Sequence, residues 1–539
     1  MPGITQLAVS LTHCATPLAA QVAAAVQAGA GLIELRVDRM RDDSAVEALL
    51  REPHTVPFIV TIRSADQGGS WRQDEAARIA VLERLARCAP GLVDVEHAAW
   101  QSSAELRRRL GAVCASQAST DADGAGARGG ETRAHGGRNE LILSHHDLRG
   151  TPQNLEEAFE RLLASPAGVV KAVFTARDAL DSCRVLEQLR ACADRRKVIA
   201  LAMGEAGLLT RVLGRKFGAF LTFAALQRGA ESAAGQPTVS ELRDLYRWET
   251  INPGTRLFGV IGWPVARSLS PRMHNAAMAA AGIDGVYLPL PVGPDYADLA
   301  AFLDYVTAND WLDLAGLSVT IPHKEHVARW LGERGHPLGE LALRCGAVNT
   351  LLRTPDGGWR GENTDALGAL AALESVAELA GGQLGGCSVD VLGAGGVARA
   401  VVAALVARGC RVTVYNRTEQ RARKLAQQLR CDWKSWEQRS AGSGRILVNC
   451  TSVGMTPAVQ SSPVPGSRLR PETVVFDTVY DPPVTRLLGD AQERGCRRVD
   501  GLELLLRQGA AQHELWHGRA AAVETLRQAL PGGSQHSRG

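Results

Sequence analysis

Short apolar runs separated by polar breaks and amphipathic stretches fill the first half of the chain. Leu7–Thr12, Leu32–Asp38, Phe58–Arg63, Leu92–Glu96, Leu141–Asp147, Val169–Phe174, Val198–Gly204 and Ala219–Phe223 each read as a strand, with helical patterns between them. Such alternation implies parallel βαβ units, and about eight of them in roughly 225 residues match a (β/α)8 (TIM) barrel. Gly235–Thr255 reads as a bridge, with Arg243–Trp248 a candidate helix within it. A second strand–helix series starts at Leu257-Phe258-Gly259-Val260-Ile261-Gly262, and a glycine-rich break near Gly381–Gly386 divides it in two. Between Ser116 and Arg138 the chain becomes rich in Gly, Ala, Asp and Arg, which cannot bury a core, so a disordered insertion is predicted between the fourth and fifth strands. The tail from Pro531 reads as frayed.

Composition narrows the class. At 539 residues the chain is too long for one core. A net charge of +3 gives no electrostatic case for nucleic acid or an anionic membrane as partner. Its 11 cysteines are scattered, with no C-x-x-C pair and no zinc spacing, so no metal site is expected. The odd count suits reduced thiols in a cytoplasm. Met1 leads almost directly into the first strand, so no signal or transit peptide is expected, and no apolar segment is long enough to span a bilayer. The expectation is a cytoplasmic protein; the sequence leaves its oligomeric state open.

Polar residues interrupt the barrel strands in one region. Lys171 lies inside Gly168-Val169-Val170-Lys171-Ala172-Val173-Phe174, where a lysine is paired with a carboxylate, serves as an amine nucleophile, or snorkels to solvent from a strand edge. Glu34, Arg36 and Asp38 alternate, and so share one face of the second strand candidate. The third ends in Thr61 and Arg63, the fourth in Asp94 and Glu96, and the fifth in Ser144-His145-His146-Asp147. Chemistry in such barrels sits at these C-terminal strand ends.

From Leu7 to Gln236 these residues resemble type I 3-dehydroquinate dehydratase. The matching motifs are Glu34-Leu35-Arg36-Val37-Asp38, Thr61-Ile62-Arg63, Gly68-Gly69, Asp94-Val95-Glu96, Ser144-His145-His146-Asp147, Val170-Lys171, Met203-Gly204 with Arg211, and Ser232-Ala233-Ala234-Gly235-Gln236. The resemblance implies Lys171 as the Schiff-base lysine, His146 as general acid/base, and Glu96 as the glutamate that positions it. It implies substrate contacts from Ser10, Glu34, Arg36, Arg63, Arg211, Ser232 and Gln236. Ala233-Ala234 stands where a proline is commoner.

In the second half, Ser388–Leu392 runs into Gly393-Ala394-Gly395-Gly396-Val397-Ala398-Arg399 and an alanine-rich helix, a G-x-G-x-x-A turn in the context a dinucleotide fold requires. The next strand ends in Asn416-Arg417-Thr418, with Arg421 beyond, where NAD selection would need an acid. Cations there suit a 2′-phosphate, so NADP(H) is the expected cofactor. Ahead of this unit, Ser268-Leu269-Ser270-Pro271, Ser318-Val319-Thr320-Ile321-Pro322-His323-Lys324, Gly346-Ala347-Val348-Asn349-Thr350 and Gly361-Glu362-Asn363-Thr364-Asp365 concentrate polar groups in loops. Thr320 and Lys324 would share a helix face if the helix begins near Pro322.

Leu257 to Leu530 resembles shikimate dehydrogenase. The resemblance implies Lys324 and Asp365 as the catalytic pair, and Ser268, Ser270, Thr320, Asn349, Tyr480 and Gln508 as substrate residues. On the cofactor side it implies Gly393 to Ala398, Asn416, Arg417, Thr418 and Arg421, the loop with Asn449, Thr451, Ser452 and Met455, and Gly501. Leu504 replaces a commoner methionine. The expected domains are a dehydratase barrel over 1–248, a substrate-binding domain over 255–380 plus 502–530, a Rossmann NADP-binding domain over 385–501, and a tail over 531–539.

Together the resemblances imply consecutive reactions, dehydration of 3-dehydroquinate and NADPH-dependent reduction of 3-dehydroshikimate to shikimate. A quinate dehydrogenase in the second half is the enzymatic alternative, opposed by Ser270 and Arg417. Inactive regulators of quinate use would show eroded catalytic positions, whereas His146, Lys171, Lys324 and Asp365 are all intact.

Overall fold

The computed structural model describes residues 4–12, 16–88, 90–115, 139–376 and 383–531. The expected insertion at 116–138 and the tail after Pro531 lie outside the described residues. The chain divides into two compact units, Met1–Thr255 and Arg256–Gly539.

The first unit is a ring of parallel strands: β1 (Gln6–Leu11), β2 (Leu32–Arg36), β3 (Phe58–Thr61), β4 (Gly91–Glu96), β5 (Asn139–Asp147), β6 (Val169–Thr175), β7 (Lys197–Met203) and β8 (Leu221–Ala225). β8 returns to β1, with Gln6 opposite Leu221, and the Phe220 N–H reaches the Val198 carbonyl at 2.8 Å, so the ring is nearly closed.

Side chains alternate across each strand. One set fills the interior, where Ala8, Leu32, Ile59, Leu92, Ile142, Val169, Ile199 and Leu221 make an apolar floor. Two residues further along, the same face carries Ser10, Glu34, Thr61, Asp94, Ser144 and Lys171, all buried, with Leu201 and Phe223 beside them. The intervening residues, such as Val9, Ile33, Val60, Val93, Leu143 and Val170, are also buried. Burial on both faces explains why the strands read as continuous apolar runs.

Some strand ends differ from expectation. β2 stops at Arg36 and the chain turns through a 3-10 segment at Val37–Arg39, so Asp38 leaves the strand face and instead accepts two 2.9 Å hydrogen bonds from Arg36. Arg63 lies just past the end of β3, and β8 starts two residues later than the Ala219 expected.

The second unit holds two sheets. In the first, β9 (Arg256–Gly262), β10 (Gly285–Pro291) and β11 (Leu314–Val319) are parallel, and the hairpin β12 (Thr350–Arg353) and β13 (Trp359–Glu362) extends them in the order β10-β9-β11-β12-β13. In the second, β14 (Ser388–Leu392), β15 (Arg411–Asn416), β16 (Asp432–Ser435), β17 (Ile446–Asn449), β18 (Val474–Asp477) and β19 (Arg497–Val499) run parallel in the order β16-β15-β14-β17-β18-β19. This is the doubly wound Rossmann order, with its switch point between β14 and β17.

Helix Gly501–His517 then returns to the first sheet. Its Trp516 Nε1 donates to the Leu351 carbonyl at 3.0 Å and its Gln512 Nε2 to Thr350 Oγ1 at 3.0 Å. Gly316 leaves room for that indole, since a Cβ there would lie 2.3 Å from Trp516 Nε1. Among the described residues no helix is long and apolar enough to cross a membrane.

Candidate active sites

The barrel's polar layer lines a cavity of ≈ 240 Å³. Lys171 Nζ sits 2.8 Å from Asp94 Oδ2 and 3.7 Å from Glu34 Oε1, and 4.5 Å from the centre of the Phe223 ring. Asp94 Oδ2 also takes Arg63 Nη2 at 2.8 Å, and its other oxygen accepts from Ser144 Oγ at 2.6 Å. Burial opposes ionisation of Asp94, but the charges of Arg63 and Lys171 outweigh it and hold the carboxyl well below the usual carboxylate range. Glu34 accepts from Ser10 Oγ at 2.7 Å and Thr61 Oγ1 at 3.1 Å.

His146 stands on the cavity wall. The amide oxygen of Gln67 accepts from its backbone N–H at 3.1 Å and lies 3.3 Å from ring Nδ1. An oxygen in that position makes Nδ1 the protonated nitrogen and leaves the lone pair on Nε2. Burial, then the charges of Arg63 and Lys171, lower the imidazole's proton affinity well below its ordinary value, so the ring is neutral at neutral pH. Arg211 is buried without an ion pair, its Nε has no partner, and burial lowers its guanidinium to about 10. Gln236 Oε1 accepts from Ser232 N at 2.6 Å and Oγ at 3.0 Å.

In the second unit Lys324, the first residue of helix Lys324–Glu333, is ion-paired with buried Asp365. Asn349 Nδ2 donates to Asp365 Oδ1 at 2.9 Å, to Thr364 Oγ1 at 2.9 Å and to Gln508 Oε1 at 3.4 Å. These groups come from β12's approach, the start of helix Thr364–Glu374 and the returning helix Gly501–His517. Ser270 N donates to Ser268 Oγ at 3.2 Å on the opening turn of helix Ser270–Ala280.

The glycine turn after β14 fits a dinucleotide. Gly393 has φ 112°, and a Cβ there would lie 2.9 Å from the Cys450 carbonyl. Gly396 opens helix Gly396–Ala407 and lies so near Lys324 that a Cβ would be 3.1 Å from its Cδ. Past β15, Arg417, Thr418 and Arg421 stand exposed, and neither arginine is paired among the described residues. Two free guanidiniums there match a 2′-phosphate. Asp477, pushed up to about 6 by burial, accepts from Asn449 Nδ2 at 2.9 Å, and Asn449 Oδ1 holds Thr451 N at 3.1 Å.

Four family models match parts of the chain: type I 3-dehydroquinase over residues 7–253, the shikimate dehydrogenase substrate-binding domain over 260–351, shikimate/quinate 5-dehydrogenase over 375–440, and the shikimate 5′-dehydrogenase C-terminal domain over 501–530. The bifunctional 3-dehydroquinate dehydratase/shikimate dehydrogenase of Arabidopsis thaliana, a chloroplastic protein, is 33% identical over 515 residues, covering 92% of this chain and 79% of its own. The chain belongs to the bifunctional dehydroquinate dehydratase/shikimate dehydrogenase family. NADP(+)-dependent shikimate dehydrogenases of Rhodospirillum rubrum and Microcystis aeruginosa match its second half, at 42% and 37% identity, over 51% and 52% of this chain and 97% and 98% of theirs. It is thus a lyase joined to an NADP-dependent oxidoreductase of the shikimate pathway.

In the dehydratase barrel, Glu34, Arg36, Arg63, His146, Lys171, Arg211 and Ser232 line one cavity, and Gln236 lines the adjoining one. Ser10 stands behind Glu34. The resemblance gives Glu96 the positioning of His146. The Glu96 oxygens go to Arg63 at 3.2 Å, Arg78 at 2.6 Å and the Ser64 N–H at 2.9 Å, because two guanidiniums converge on the end of β4. Gln67 meets the histidine instead. In the dehydrogenase half, Thr320 precedes the helix, which begins at Lys324 rather than near Pro322. Tyr480 and Met455 stand 38% and 45% exposed, Leu504 is buried in the nucleotide-half core, and Gly501 packs so closely on Val479 that a Cβ would lie 2.5 Å from its carbonyl. Asp94, Gln67, Thr364 and Gln512 were given no role from the sequence. Asp94 had a signal, being two residues before Glu96 on one strand face; Thr364 had only its place beside Asp365, and Gln67 and Gln512 had none.

Proposed function

We propose that Lys171 and His146 carry out the dehydration, and Lys324 with Asp365 the reduction. The observation that carries this reading is the Lys171 amine, fixed by Asp94 in a closed polar layer, with His146 on the wall of the same cavity. As a free amine, Lys171 adds to the ketone of 3-dehydroquinate, and loss of water gives an iminium. That electron sink acidifies the neighbouring C–H, so neutral His146 takes the proton through Nε2 and an enamine forms. The enamine expels the β-hydroxyl as His146 returns the proton and water departs; hydrolysis of the conjugated iminium then frees Lys171. Arg211, with Ser232 and Gln236, holds the substrate's carboxylate, and Glu34 with Arg36 its hydroxyls.

In the second unit NADP(H), when bound, supplies or accepts the hydride. Lys324 holds the proton for the substrate's carbonyl oxygen, and its ion pair with Asp365 aims that group. Asn349, Thr364 and Gln508 orient the ring hydroxyls, Ser268 and Ser270 the carboxylate, with Tyr480 a further substrate contact. Gly393, Gly395 and Gly396 approach the pyrophosphate, and Arg417 with Arg421 reads the 2′-phosphate. The substrates are small molecules; the chain has no nucleic-acid or membrane partner and works in the cytoplasm. Borohydride added with 3-dehydroquinate is expected to label Lys171, read by peptide mass mapping. A label on another residue, or none, overturns the barrel mechanism.

A further inference from the structure

Beside the barrel cavity lies a second one of ≈ 320 Å³, lined by Arg39, Arg228, Glu231, Gly235 and Gln236 among others. Arg39 and the segment Ser232–Ala234 border both cavities, so the outer one is a vestibule to the inner.

The cations around this passage are not equivalent. Arg228 is paired with Glu241 and lies 3.8 Å from Glu231. Arg36 is held by Asp38, Arg63 by Asp94 and Glu96, and Lys171 by Asp94. Arg39 has no hydrogen bond or ion pair among the described residues, and its Nε is buried without a partner. Burial first and the neighbouring Arg36 second lower its proton affinity, with Asp38 and Glu34 opposing, which marks a cation short of counter-charge. Arg211, the other unpaired guanidinium, is only 2% exposed, deep in the inner cavity.

We propose that Arg39 is a substrate-binding residue of the dehydratase, capturing the carboxylate of the incoming anion in the vestibule before its ketone reaches Lys171. A lone cation in a concave, partly desolvated mouth concentrates field lines and speeds association of an anion. The proposal rests on the reading that the inner cavity takes 3-dehydroquinate.

The test measures dehydratase kinetics across ionic strength for the full chain and for Arg39→Gln and Arg39→Lys. Arg39→Gln is expected to raise KM about tenfold with kcat within about twofold, and to flatten the fall of kcat/KM with salt. Arg39→Lys keeps the point charge and is expected to stay within about threefold of the unaltered chain. Shikimate oxidation by the same molecules stays constant. An unchanged KM and salt slope in Arg39→Gln, or Arg39→Lys as impaired as Arg39→Gln, overturns the proposal. Borohydride trapping at saturating 3-dehydroquinate is read alongside. A missing Lys171 adduct in the unaltered chain overturns the Schiff-base reading alone, because the salt dependence reports on Arg39 separately.

Discussion

Replacing Asp94 by Asn tests the charge balance on which the dehydratase site depends. One Asp94 oxygen lies 2.8 Å from both Lys171 Nζ and Arg63 Nη2. An amide turned to keep the Ser144 bond would face both cations with its N–H groups, donor against donor. Turned the other way, it would still lack the charge. Arg63 retains Glu96 at 3.2 Å, but Lys171 retains only Glu34 at 3.7 Å. Leaving a buried cation short of its partner costs about 3–5 kcal/mol. At about 2–4 °C per kcal/mol for a unit of this size, the barrel transition should fall by about 6–20 °C. Calorimetry of the full chain measures it, with dehydrogenase activity as a check on the other unit. Asp94 is held below its unfolded value, so its contribution is complete above about pH 4 and declines as pH falls further. The gap between the two proteins should therefore narrow in acid. Adding Lys171→Met removes the stranded ammonium and should return about 1–3 kcal/mol. A gap under about 1 kcal/mol at neutral pH, or no recovery in the double variant, refutes the reasoning.

Three further outcomes are expected. Gln67→Glu places a carboxylate beside His146 Nδ1, which raises the imidazole's proton affinity, so the acidic limb of dehydratase kcat/KM should move to higher pH; an unmoved limb means Gln67 does not govern the ring. Arg417→Ser should raise KM for NADPH about tenfold and leave NADH nearly unaffected, and equal changes for both would remove Arg417 from 2′-phosphate recognition. Asp365→Asn should lower dehydrogenase kcat about 100-fold while the same preparation keeps its dehydratase rate; retention of dehydrogenase activity would free Lys324 from dependence on its partner.

The barrel was legible because burial on both faces writes each strand as a compact apolar run, against which Glu34, Asp94 and Lys171 stand out. The nucleotide sheet was legible through its glycine turn, whose backbone at Gly393 admits no side chain. What escaped lay where no periodicity operates. Gln67 sits on the short turn Ala65–Gln67 and reaches His146 on a distant strand, so no spacing links them. The family resemblance gave Glu96 to the histidine; its hydrogen bond from Arg78 depends on the packing of helix Glu75–Ala86, which no motif spells out. β16, the edge strand Asp432–Ser435, is short and half-exposed, and so carries no apolar signature.

The return of helix Gly501–His517 to the first sheet makes chain order and folding order different things. Residues 256–376 contain Lys324, Asn349 and Asp365, yet a fragment ending there would lack Gln508 and leave Gly316 and Leu351 without the indole that covers them. A ribosome releasing this protein therefore completes the barrel long before the dehydrogenase's first sheet can close, because that sheet waits for residues made after the entire nucleotide half. A stop codon near residue 500 would take away a distant sheet's lining along with helix Gly501–His517, while the barrel, already finished upstream, would be spared.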